Sequence, residues 1–170
     1  MTRTDGAPAT SSKPSSTGIW VTLTLAVLSM VGPFTIDSMF PAFTQMGIEF
    51  GADEAAMQQV TGVYLAAFAV MSIFHGPISD AAGRKPVMIG GLLGFTAASI
   101  GCALAPNLPF LLAGRLLQGV FAGGATIISR VVIRDMFGGA QAQKLMSQVM
   151  MIFSIAPALA PIIGGWILTV

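Results

Sequence analysis

Asp37 is a lone carboxylate inside one long apolar stretch, and Arg115 is a guanidinium near the start of another. A charge in such a setting is costly unless it is paired, protonated or hydrated, so each marks a candidate site for ion or ligand chemistry. Asp37 lies six residues before Phe43, roughly 9 Å from the end of its stretch, and Arg115 lies five residues after Phe110, roughly 7.5 Å into its own. The two are therefore expected at similar depth from the same side, a proton-binding acid matched to a cation. Gln118 and Gly119 follow Arg115 at i+3 and i+4 and share its face. Gly119 and Gly123 form a small-xxx-small step that lets another helix approach closely. Arg115 and Gln118 are thus expected to line a cavity with Asp37, either binding a ligand or bracing the helices. If the first helix ends early, Asp37 sits in the membrane interface instead.

A second cluster occupies the polar residues 79–86, wedged between two apolar runs. Gly76, Asp80, Gly83, Arg84 and Lys85 fall in the spacing G-x-x-x-D-x-x-G-R-K. A tight reversal at a membrane surface needs a conformationally permissive glycine, and its cations favour the cytoplasmic face. A third cluster is Pro157 and Pro161, one turn apart, followed by Gly164 and Gly165. Each proline removes a backbone hydrogen bond and bends a helix, and the glycines offer a surface for close packing. His75 reads as an interfacial polar residue beside the polar gap.

The elements that position these residues follow from composition. Charged residues make up 9% of the chain, against about 25% in soluble domains. The solvent of most of this chain is therefore lipid, and the bilayer is its first partner. A net charge of +1 leaves no electrostatic footprint for nucleic acid. Cys102 is the only cysteine; it allows no internal disulfide and no C-x-x-C metal site, so it reads as a packing residue. Residues 1–18, rich in Ser, Thr and Pro, read as a disordered tail rather than a signal peptide. Residues 19–43, 60–78, 87–105, 110–133 and 145–170 each approach the roughly 20 apolar residues of a bilayer span. No stretch alternates with period two, which disfavours a β-barrel. The expected fold is an all-α polytopic membrane protein with one transmembrane domain over residues 19–170. Arg3, Lys13, Arg84, Lys85, Arg130, Arg134 and Lys144 fall on one side, whereas Glu49, Asp53 and Glu54 fall on the other. The positive-inside rule then puts the N-terminus in the cytoplasm and Val170 outside.

The glycine-acid-glycine-cation spacing of residues 76–85 resembles the loop after the second helix of major facilitator superfamily transporters. Residues 32–41 (GPFTIDSMFP), 114–119 (GRLLQG), 130–137 (RVVIRDMF) and 156–165 (APALAPIIGG) together resemble its Bcr/CflA multidrug efflux branch. That resemblance implies a twelve-helix drug:proton antiporter of a bacterial inner membrane, exporting small, largely apolar drugs. It implies no enzyme activity and no cofactor beyond a proton gradient. Asp37 matches the branch's proton-titrating acid, Arg115 and Gln118 its R-x-x-Q-G motif, and Pro161, Gly164 and Gly165 its antiporter motif. Asp80, Arg84 and Asp135 match its cytoplasmic charge relay. Ala81 departs from the usual arginine, and Ala160 from a common glycine. Five spans then imply an incomplete six-helix N-terminal half, lacking the sixth helix and the second half of the same transporter. Three competing readings remain: nutrient uptake by the same fold, which the Pro/Gly helix disfavours; an intramembrane aspartyl protease, which lacks its second acid; and a truncated chain inactive alone.

Overall fold

The computed structural model describes residues 16–168, so most of the expected tail and the end point at Val170 lie outside the described residues. Six α-helices follow one another: α1 (Ser16–Asp37), α2 (Phe43–Phe50), α3 (Glu54–Ala82), α4 (Arg84–Ala103), α5 (Leu108–Met136) and α6 (Gly139–Ile167). A short 3-10 turn, Phe40–Ala42, joins α1 to α2. Five stretches are long and apolar enough to cross a bilayer, the first running through that turn from Trp20 to Phe50. No strand occurs among the described residues.

The helix ends differ from the limits of the apolar runs, and local chemistry explains each difference. The first helix stops at Asp37 rather than at Phe43, because the ring of Pro41 would clash with the carbonyl four residues earlier. It begins at Ser16, inside the expected tail. Helix α3 starts six residues early, where the Asp53 carboxylate accepts a 2.8 Å hydrogen bond from the Ala56 amide. It also continues through Ser79 and Asp80, so the expected eight-residue polar loop shrinks to Gly83 alone. Gly83 carries a φ of +93°, which only glycine adopts without strain. Pro86 fits the first turn of α4, where no amide donor is required. Asn107 caps α5 by accepting from the Phe110 amide at 3.0 Å. Helices α3, α5 and α6 have 29 residues each, about 43 Å, enough to tilt across or project beyond a 30 Å hydrocarbon core.

Helix α5 is the centre of the bundle. Of its most apolar window 56% is buried, against 11–22% in the other four spans. It packs on α1, α3, α4 and α6, and small residues make this possible. A Cβ on Gly91 of α4 would lie 2.8 Å from the Cα of Gly124, and one on Gly123 would lie 2.7 Å from the His75 ring. His75 is accordingly buried against α5, its Nδ1 2.7 Å from the Met71 carbonyl. One apolar cluster gathers Leu25, Ala26, Ile133 and Val149; another gathers Met57, Val60 and Leu111.

Candidate functional site

A cavity of about 370 Å³ lies between α1, α3, α5 and α6, a size typical of small-molecule sites. Ile36, Leu65, Phe68, Ile127 and Phe153 give it apolar walls, and Asp37, Tyr64, Thr126 and Arg130 supply its polar groups. The position of Asp37 follows from the α1–α5 contact. Ser29 and Ser129, both fully buried, share a 2.8 Å hydrogen bond across the two helices. A Cβ on Gly32 would lie 3.3 Å from the Thr126 hydroxyl oxygen. These contacts fix the antiparallel register of α1 against α5 up to Gly32, and Asp37 follows five residues later at the end of α1.

Among the described residues no ion pair joins Arg115 to Asp37. Nor are Arg115 and Gln118 among the residues lining the cavity. Arg115 is 3% exposed; its Nη1 donates to Gln118 Oε1 at 2.9 Å, and Gln118 Nε2 donates to Ser99 Oγ at 2.7 Å. Its guanidinium carbon stands 6.0 Å from the Tyr64 ring centroid. Tyr64 in turn donates its hydroxyl to the Gly32 carbonyl at 3.3 Å. Arg115 and Gln118 thus brace α3, α4 and α5 behind Tyr64, while Tyr64 presents one side to the cavity that holds Asp37.

Arg130 is the residue that sequence reasoning did not single out. The sequence counts it only among the cations of one side, yet it lines the cavity with its guanidinium carbon 5.1 Å from the Phe153 ring centroid. The signal that could have found it is the Thr126–Arg130 spacing, one helical turn on the face that also carries Gly119 and Gly123.

At the opposite end of α3, the residues of the polar motif do come together. Arg84 Nη1 lies 2.6 Å from Asp80 Oδ1 and also donates to Ser79 Oγ, while Nε donates to Asp135 Oδ2 at 3.0 Å. One guanidinium thereby joins the end of α3 to the end of α5. Gly83 makes this possible by turning the chain so that Arg84 opens α4. Lys85 is exposed and outside this cluster, and Gly76 lies within α3 facing open space.

Helix α6 stays helical across Pro157, which is exposed, and Pro161, which is half-buried. Its two glycines are unequal. Any Cβ on Gly164 would collide with the Ser38 carbonyl, whereas one on Gly165 would meet nothing. The expected two-glycine packing surface is therefore a single close approach at Gly164.

The sequence pattern of the Major Facilitator Superfamily matches residues 22–170. The chain is 35% identical to an uncharacterized MFS-type transporter of Bacillus subtilis over 85% of its own length and 36% of that protein's. It is 32% identical to the bicyclomycin resistance protein homolog of Haemophilus influenzae, covering 89% of this chain and 38% of the relative. It is 34% identical to multidrug resistance protein D of Escherichia coli, covering 84% and 36%. The chain thus spans a little over a third of these curated relatives. With four spans packed around a central glycine-rich fifth and this match over nearly its whole length, the chain belongs to the major facilitator superfamily.

Proposed function

We propose that this chain supplies the cavity-bearing helices of a secondary transporter that exports small, largely apolar drugs in exchange for protons across a bacterial inner membrane. The observation that carries the reading is Asp37, a half-buried carboxylate set in the apolar wall of a ligand-sized cavity. Relatives named for bicyclomycin and multidrug resistance support drugs as the substrate class. The reaction is movement rather than bond chemistry. Asp37 binds a proton in one occupancy state and releases it in another, while Arg115 and Gln118 hold α3, α4 and α5 in register. The N-terminus is cytoplasmic, and the second half of the transporter completes the site from the open side of the cavity.

Arg84, Asp80 and Asp135 govern the change between inward- and outward-facing states. They lie at the helix ends, outside the lining of the cavity, and join elements that must move relative to one another. Proteoliposomes of the full-length protein test the proposal. An imposed pH gradient should drive uptake of a neutral aromatic antibiotic against its concentration gradient and collapse when a protonophore is added. Transport insensitive to the protonophore would contradict proton coupling.

A further inference from the structure

The cavity is polar at both ends, and the end opposite Asp37 has no partner for its charge. In the α1–α5 register Arg130 is level with Leu28, nine residues and about 13 Å along the axis from Asp37. Its Nε is buried without a hydrogen-bond partner, and no ion pair among the described residues reaches its guanidinium. The acid nearest in sequence, Asp135, is held by Arg84. One turn away on the same face, the Thr126 hydroxyl is also buried and unpartnered, on a side chain only 3% exposed. The Phe153 ring lies against the guanidinium from α6. Buried donors left unmatched cost free energy unless an acceptor arrives, and a guanidinium in an apolar wall draws an anion most strongly.

We propose that Arg130 and Thr126 form an anion subsite at the inner end of the cavity, taking the carboxylate of an amphipathic ligand whose aromatic body lies along Phe68 and Phe153. The inference rests on the cavity being the drug site. It adds that preferred ligands are aromatic acids about as long as the spacing between Arg130 and Asp37. The carboxylate accepts from the terminal nitrogens of Arg130, whose Nε is shielded, and from the Thr126 hydroxyl once that side chain turns from α1 towards the cavity, and the ring of the ligand stacks where apolar walls face each other. Such a ligand neutralises the single uncompensated cation of the cavity, while a neutral analogue leaves it unmatched.

A matched pair of probes tests this: biphenyl-4-carboxylate and its neutral methyl ester, titrated calorimetrically into the purified full-length protein in detergent at neutral pH. The expected preference is about tenfold or more for the acid, as a charge-assisted hydrogen bond provides. Arg130→Gln should weaken acid binding by about tenfold and leave the ester within about twofold. Arg130→Lys should restore part of the difference, and Thr126→Val should cost the acid a further few-fold, about the value of one neutral hydrogen bond. Two variants that keep volume guard against simple misfolding. Equal affinities of the parent for acid and ester, or equal losses for both probes in Arg130→Gln, would overturn the subsite while leaving the cavity as the drug site. Failure of both probes to bind the parent would overturn the cavity itself.

Discussion

Arg84 and Asp135 are 51 residues apart in sequence and 3.0 Å apart in space, with Asp80 held by the same guanidinium at 2.6 Å. The Arg84 side chain is 29% exposed and the two carboxylates 65% and 51%. A cluster this open adds little to static stability, so its value lies in what it joins. It fixes the end of α5 to the α3–α4 corner here, and on the proposed mechanism it releases it in the other state.

Arg84→Gln and Asp80→Asn should therefore each lower thermal stability by less than about 1 kcal/mol. Transport by the full-length protein should fall by about tenfold or more while ligand affinity stays within about twofold, the pattern of a shifted conformational equilibrium. Paired binding and proteoliposome flux measurements separate the two quantities. Equal loss of both would place the cluster in the binding site instead.

The unequal glycines of α6 give a sharper packing test. Gly164→Ala should destabilise by about 1–3 kcal/mol, because the Ser38 carbonyl must move away. Gly165→Ala, facing open space, should stay within about 0.5 kcal/mol of the parent. Thermal unfolding in detergent micelles reads both, and equal effects would contradict the α1–α6 contact.

How far the sequence alone reached can be judged at particular residues. Hydropathy located all five spans, since a run of about 20 apolar residues has few alternatives. It missed the break at Asp37, which depends on the clash of the Pro41 ring rather than on hydropathy. It also read residues 79–86 as loop, because polar side chains at a membrane surface are equally compatible with a helix whose end projects into water. The spacing of Asp80, Arg84 and Asp135 carried enough of a family pattern to foretell their meeting. The pairing of Asp37 with Arg115 failed because depth counted from run ends does not say which way a side chain faces, and Arg115 is taken up by Gln118 and the Tyr64 ring instead. Arg130 was hidden by its closeness to Arg134, which makes a cavity cation look like one of a surface pair.

The brace behind Tyr64 should behave differently from the cavity wall. Gln118→Met removes the acceptor of a buried Arg115 and should destabilise by about 3 kcal/mol, the cost of leaving a buried charge unmatched. Ser99→Ala should cost only about 1–2 kcal/mol. Affinity for a neutral cavity ligand should change by less than about threefold in both, since neither residue lines the cavity. A loss of affinity greater than the loss of stability in Gln118→Met would return that residue to the binding site.

Orientation is open to direct labelling. In a Cys102→Ser background, Lys85→Cys should react with an impermeant maleimide only after the membrane is opened, whereas Glu49→Cys should react in intact cells. Labelling of Lys85→Cys from outside would invert the topology and the direction of transport with it.

The central claim is that Asp37 carries the coupled proton, and one measurement addresses it without a membrane. Purified full-length protein in weakly buffered solution is mixed with a saturating neutral aromatic drug, and the change in proton concentration is followed with a pH dye. The parent should release protons in proportion to the sites filled. Asp37→Asn keeps the size and hydrogen bonding of the side chain but cannot titrate, so it should bind the drug and release none. Proton release by Asp37→Asn equal to that of the parent would put the coupling acid elsewhere and contradict the account.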